Sequence, residues 1–279
     1  MTRMAQIRVL LVLAVCLVTA AAAGAQPILL EAMTRHGIAL PGKSFEAGFD
    51  EGLVPAIPVT AGSLATPLAM LSVADGADKV AAAYAFGILA GRSAKAASSA
   101  ELAAAGQALL QMVGSEDRRT RIAGARVAGR VLAASFDARG FRPPVPAGLA
   151  DGLFALLNRS NELEQLAAMD ALGLIRETSA VSALTERYYF YREGGRRALA
   201  GGALEALARI GDASSVEIVK LVAVDRWAAG RDATALAVAF ARERLLKDGS
   251  IVTIQQAVDD RARRVQARGY LDELGAPVP

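Results

Sequence analysis

The sequence AMDALGLIRETSAV at residues 168–181 recurs as ALEALARIGDASSV at residues 203–216, 35 positions further on. Matching apolar residues are spaced three and four apart, which places them on one face of a helix. A polar turn follows, and a second apolar helix begins after it. A repeat of this length predicts a stack of helix pairs. Six residues are predicted to be core: Ala171, Leu172, Ile175, Ala206, Leu207 and Ile210.

Similar apolar segments on both sides of this repeat predict about five helix pairs between residues 63 and 250. Gly87, Gly129 and Gly173 occupy the same slot of successive second helices. Glycine costs about 1 kcal/mol relative to alanine inside a helix, so its recurrence predicts close contact between helices there. The predicted helices are 64–74 and 78–91, 100–114 and 118–135, 149–157 and 163–176, 180–191 and 197–210, and 215–224 and 232–247.

The regions flanking the helix pairs differ from them in composition. Residues 26–62 contain four prolines and five glycines, which predicts an irregular N-terminal arm. Residues 251–279 are more polar and predict a terminal capping helix over 252–274, as the exposed end of a helix stack requires. The sequence therefore predicts an all-α, right-handed α-solenoid with an arm at one end and a cap at the other.

Two of the predicted units resemble HEAT repeats, particularly the short bacterial HEAT-like kind. The resemblance extends over roughly residues 63–247, and it implies a scaffold or docking surface for other proteins. Arg196 departs from the pattern, because an acidic capping residue is expected at its position. The residues that carry the resemblance are Asp117, Arg121, Ala123, Ala128 and Gly129 in one unit and Ala167, Ala168, Ala171, Leu172, Gly173, Ile175, Val181 and Leu184 in the other.

The first 25 residues have the pattern of a secretory signal. Two arginines precede an apolar run, and small residues end at Ala25, which predicts cleavage before Gln26 and export to the periplasm or the medium. The alternative is an uncut anchor, but the 17-residue apolar run is short for a membrane span. No later segment of the mature chain is predicted to span a membrane.

Removing this signal leaves 254 of the 279 residues and changes the charge balance. The cut takes away two of the 31 basic residues and none of the 28 acidic ones, so the formal charge falls to +1. A near-neutral chain has no general attraction for nucleic acid, and none is expected to bind. The one cysteine, Cys16, is lost with the signal, so no disulfide or thiol chemistry is expected.

Two patterns suggest enzymes, and neither is complete. The segment from Gly37 to Ser44, GIALPGKS, fits a phosphate-binding loop and would make the chain a nucleotide hydrolase using Lys43 and Ser44, but the glycines and the proline after it are a poor helix start. His36 could belong to a distant phosphatase, yet the chain has no second histidine. The sequence therefore predicts no catalytic, cofactor or metal site, and the enzyme remains the alternative.

The aromatic run YYFY at residues 188–191 is the candidate binding feature in a chain with few aromatic residues. Tyr188 and Tyr191 share an apolar helix face with Leu184, so Tyr189 and Phe190 must point elsewhere. They either pack on neighbouring elements, including the loop around Trp227, or form an exposed anchor for a protein or peptide partner. The predicted partner-binding residues are Tyr189, Phe190, Arg192 and Arg197, and the predicted polar lining of the second helices is Arg126, Arg130, Asp170, Arg209, Arg242 and Arg244.

Overall fold

The computed structural model describes residues 25–57, 59, 61–91, 98–139, 145–223 and 233–279. These residues form fourteen α-helices, joined by turns and short 3₁₀ segments, and contain no strand. The prediction of an all-α chain is thus confirmed for this part of the sequence. Residues 1–24, which hold most of the predicted export signal, and Trp227 lie outside the described residues. The chain divides into two compact units, residues 1–105 and residues 106–279.

The described part of the first unit contains four complete helices, and the first three pack around the fourth. They are α1 (Ala25–Arg35), α2 (Phe45–Asp50), α3 (Ala61–Val73) and α4 (Gly76–Ala90). Residues 81–90 of α4 are all buried, because the other three helices pack against it. Phe49 packs on Tyr84 with ring centroids 5.2 Å apart, and the Tyr84 hydroxyl donates a hydrogen bond to Glu46 at 3.2 Å.

The predicted irregular arm is therefore partly helical, since α1 and α2 lie within residues 26–62. Pro27 does not prevent α1 from forming, because it stands in the first turn, where backbone N–H groups have no partner within the helix. Gly37, with a φ of 69°, provides the left-handed conformation just after α1 ends. Ser44 starts α2, and its hydroxyl accepts a hydrogen bond from the Ala47 backbone N–H at 3.2 Å.

The helices predicted between residues 63 and 250 are all present, with ends within four residues of those expected. The periodicity of apolar residues was therefore a sound guide to helix position. The remaining helices are α5 (Ser99–Val113), α6 (Arg118–Arg139), α7 (Leu149–Leu157), α8 (Glu162–Leu174), α9 (Val181–Glu193), α10 (Arg197–Ile210), α11 (Ala213–Ala223), α12 (Ala233–Leu246), α13 (Ile251–Gln256) and α14 (Arg264–Leu274).

In the second unit, alternate helices lie side by side, with α6 against α8, α8 against α10, and α10 against α12. Small residues permit this closeness. A Cβ atom added to Gly129 would lie 2.8 Å from the Ala171 Cα, and one added to Gly173 would lie 2.7 Å from the Ala206 Cα. The predicted close contact is confirmed at both glycines. The helices between them in the chain, α7, α9 and α11, pack against α8, α10 and α12 respectively.

The six predicted core residues are all buried.

Polar groups link the starts of two neighbouring helices, α6 and α8. The Asp117 carboxylate accepts a hydrogen bond from the Thr120 backbone N–H at 2.8 Å and caps α6. Arg121 Nε donates to Glu164 Oε1 at 2.5 Å, and both side chains are buried. This ion pair fixes the start of α6 beside the start of α8.

The predicted single helix over 252–274 is wrong, because the chain breaks between α13 and α14. A 3₁₀ turn, Ala257–Asp259, is followed by Asp260, whose backbone is extended. The Asp260 carboxylate accepts hydrogen bonds from the Ala262 backbone N–H at 2.8 Å and from Arg263 Nε at 2.9 Å. These local bonds compete with the helical pattern and allow α14 to change direction.

Candidate functional site

The aromatic run on α9 divides between the core and the surface. Leu184, Tyr188 and Tyr191 are almost completely buried, as the helical periodicity predicts. Tyr189 is 38% exposed and Phe190 is 56% exposed. The two exposed rings are thus carried on a helix whose opposite face is fixed by two buried tyrosines.

The exposed rings contact the buried ones and a neighbouring arginine. The Tyr189 ring meets Tyr188 edge-on at 5.3 Å between centroids, and Phe190 meets Tyr191 in the same way at 5.6 Å. The guanidinium carbon of Arg196 lies 5.9 Å from the Phe190 ring centroid, which is within the range of a cation–π contact. The aromatic patch, defined as Tyr189, Phe190 and Arg196, therefore combines two exposed rings with one exposed cation.

The turn after α9 explains why Arg196 reaches Phe190. The Arg196 backbone N–H bonds to the Tyr191 carbonyl at 2.8 Å, and the Gly195 N–H bonds to the Arg192 carbonyl at 3.2 Å. Gly195 has a φ of 68°, so the turn has the form of a Schellman motif, which ends a helix and folds the chain back on it. Arg196 is consequently brought back to the end of α9.

The two arginines predicted for this site occupy different surroundings from Arg196. Arg192 and Arg197 are half-buried, and both interact with other groups of the protein. The sequence therefore separated Tyr189 and Phe190 from the buried face of the helix, left open whether they are exposed, and did not identify the arginine that contacts Phe190. The signal that could have found Arg196 is the preceding Gly-Gly pair, which is typical of a helix-ending turn.

A second cluster surrounds the buried Arg209 on α10. Its Nη1 atom lies 2.8 Å from Asp170 Oδ1, and its Nη2 and Nε atoms bond to both oxygens of Glu273 at 2.9 and 3.0 Å. Glu205 Oε2 is 3.5 Å from Nη2. The guanidinium also lies 5.6 Å from the centroid of the Phe240 ring. One cation thus connects carboxylates from α8, α10 and α14.

Burial and neighbouring charges change the acidity of this cluster. Burial raises the pKa of Glu205, although Arg209 acts in the opposite direction. Burial also raises the pKa of Tyr270, well above its ordinary value. Burial alone would lower the pKa of Arg209, but Glu273, Asp170 and Glu205 raise it, so this side chain stays charged. The cluster therefore holds one permanent cation and one carboxyl group that resists ionisation.

Arg209 was predicted to line the surface formed by the second helices, but its side chain is buried and does not face solvent. Helix α14 covers it, with the Tyr270 ring stacked on Phe240 at 4.3 Å and the Ala267 and Leu271 side chains buried. The sequence did not predict the contact of Glu273 on α14 with Arg209, because no local pattern pairs residues 64 positions apart. Another residue of the predicted lining, Arg242, bonds to Asp248 at 2.7 Å.

The segment from Gly37 to Ser44 lies between α1 and α2, with a helix rather than a strand before it. Lys43 Nζ bonds to both oxygens of Glu51, at 2.8 and 2.6 Å, and the Ser44 hydroxyl caps α2. A phosphate-binding loop needs a strand before it and a long helix after it. The structure therefore places these residues in a different context from the one that the nucleotide-binding pattern requires.

Among the described residues, no cluster of histidine, cysteine, aspartate or glutamate has a metal-binding arrangement. In the same part of the chain, no helix is both long and apolar enough to span a membrane. Comparison of the whole chain with protein-family models, curated proteins and solved structures gives no significant match.

Proposed function

We propose that the chain is an exported, non-enzymatic scaffold that binds a protein or peptide through the surface of a helical repeat. In this proposal, about five HEAT-like helix pairs form a right-handed α-solenoid. The partner docks on the exposed rings Tyr189 and Phe190, with the nearby Arg192, Arg196 and Arg197 supplying positive charge. The observation that carries the proposal is the exposure of two adjacent aromatic side chains on a helix with a fully packed inner face.

The contacts in the second unit support the repeat architecture. Helices α6, α8, α10 and α12 follow one another in a row, and α8, α10 and α12 each have a shorter helix packed against them, namely α7, α9 and α11. Gly129 and Gly173 lie at two of these helix contacts, where an added Cβ atom would come within 3.0 Å of the neighbouring helix. A repeat protein has these nearest-neighbour contacts, and it uses the resulting extended surface for binding.

The composition of the patch supports the choice of docking site. Tyrosine, tryptophan and arginine are the residue types that contribute most to binding at protein interfaces. The patch presents its rings without a large entropic cost, since contacts with Tyr188 and Tyr191 already restrict them. The charge of +1 on the exported chain favours no general electrostatic partner, so local chemistry has to supply the specificity.

A pull-down from the exported fraction tests this function. The mature chain is the bait, and the Tyr189→Ala, Phe190→Ala variant is the matched control bait. We expect a protein that binds the parent chain in direct titration with the purified components and binds the Tyr189→Ala, Phe190→Ala variant much more weakly. A partner that binds both baits equally would contradict docking at this patch.

The enzyme alternative is tested on the same purified chain. We expect no hydrolysis of nucleoside triphosphates or phosphate monoesters, and Lys43→Ala and His36→Ala should not differ from the parent. A hydrolytic activity that disappears in either variant would contradict the scaffold proposal.

A further inference from the structure

The contact of α14 with the rest of the second unit has an apolar part and a charged part. Ala267, Tyr270 and Leu271 are buried against the neighbouring helices. On its polar side, Glu273 forms the two bonds to Arg209, and Gln266 Nε2 donates to Glu205 Oε1 at 3.2 Å. The charged part therefore joins α14 directly to α10.

The charges in this contact do not balance. Three carboxylates meet one guanidinium: Asp170 comes from α8, Glu205 stands with Arg209 on α10, and Glu273 comes from α14. From α12, Arg244 lies 5.8 Å from the Phe240 ring centroid and donates to the Ala208 carbonyl at 3.1 Å. Tyr270 and Gln266 are the uncharged polar groups of α14 that face Glu205. With all three carboxylates ionised, the immediate surroundings of Arg209 are negative.

Glu205 is the member of the cluster whose ionisation is most costly. Burial is the largest cause of the raised pKa of Glu205, and the charges of Asp170 and Glu273 add to it. The charge of Arg209 and a hydrogen bond from Tyr270 act in the opposite direction. The folded chain therefore keeps a proton on Glu205 at pH values where the unfolded chain has lost it. Stability from this group is complete below the ordinary pKa of 4.5 and is lost as the pH rises through the raised value.

We propose that the carboxyl cluster around Arg209 is a pH-sensitive latch, which holds α14 most firmly when Glu205 is protonated and loosens it when Glu205 ionises. Two effects act across the contact between α10 and α14. Ionised Glu205 repels Glu273, which is the charged anchor of α14, and it competes with Glu273 for Arg209 Nη2. Loosening α14 uncovers Arg209 and Phe240 on the row of alternate helices.

Hydrogen–deuterium exchange of the full chain between pH 4.5 and pH 8 tests the latch. The exchange rates are divided by the intrinsic rates at each pH, which gives opening constants for α14 and, as an internal reference, for α8. We expect the opening constant of α14 to rise over this range, while that of α8 stays constant. An α14 opening constant that does not change with pH would overturn the proposal.

Two conservative variants locate the effect in the cluster. Glu205→Gln keeps the size of the side chain and cannot ionise, so the opening constant of α14 should no longer depend on pH. Asp170→Asn removes a charge that raises the pKa of Glu205, so the rise should move to lower pH. An unchanged pH dependence in Glu205→Gln would overturn the proposal. If that variant does not fold, an unshifted rise in Asp170→Asn would do so.

Discussion

Replacing Arg209 with methionine is expected to lower the free energy of unfolding by about 3 kcal/mol. Methionine preserves much of the apolar contact with Phe240 but leaves three carboxylates without their cation. The loss is placed at the lower end of the range for broken buried pairs, since Asp170 and Glu273 remain partly exposed to water. Denaturation by urea, followed by circular dichroism, measures the change.

Arg242→Met is the matched control for this substitution. Arg242 also bonds to a carboxylate, that of Asp248 at 2.7 Å, but its side chain is considerably more exposed. An exposed ion pair of this kind contributes about 0–1 kcal/mol, so the control should have little effect. Equal losses in the two variants would mean that the buried Arg209 cluster contributes no more to stability than the more exposed ion pair of Arg242.

Leu172→Asp is expected to abolish cooperative unfolding of the second unit. Leu172 is completely buried on α8, which packs between α6 and α10. Burying an unpaired carboxylate costs several kcal/mol, which is comparable with the whole stability of a domain, about 5–15 kcal/mol. Thermal unfolding by circular dichroism should therefore lose its sharp transition.

The same substitution at Leu163 provides the control on the same helix. Leu163 is 61% exposed and lies in the first turn of α8, where a negative charge is favourable. Leu163→Asp should therefore unfold within about 0.5 kcal/mol of the parent. If Leu172→Asp also melted like the parent, the assignment of the buried face of α8 would be wrong.

The central helices could be predicted because local and global preferences agree in them. Around Leu172 and Leu207, the apolar spacing matches the helical period, and the same residues form the core. Gly129 and Gly173 add a second signal, since their cost within a helix is offset by close packing. Each of these features depends on residues within a few turns of one helix.

The two ends of the chain were harder to predict for different physical reasons. Pro27 was read as a helix breaker, although its position in the first turn of α1 makes it compatible with a helix. At the other end, Asp260 interrupts the helical pattern through its own hydrogen bonds. The docking of α14 depends on the contact between Glu273 and Arg209, and long-range pairing of this kind has no signature in local periodicity.

The candidate site was also predictable only where it depends on the local helical period. The helical period separates Tyr188 and Tyr191 from the exposed pair, so the two faces of α9 could be assigned from sequence. The position of Arg196 depends on the left-handed conformation of Gly195, which carries the chain back toward Phe190. The arginines chosen from sequence proximity, Arg192 and Arg197, are instead half-buried.

Docking at the aromatic patch is tested most directly by titrating the purified partner against the Tyr189→Ala, Phe190→Ala variant and recording its melting curve. Leu221→Ala, at another exposed apolar position, is the control. The proposal predicts that the double substitution weakens binding by about 2 kcal/mol or more, while its melting curve and both properties of the control stay close to those of the parent. Unchanged binding, or a collapse of the melting transition in the double variant, would contradict it.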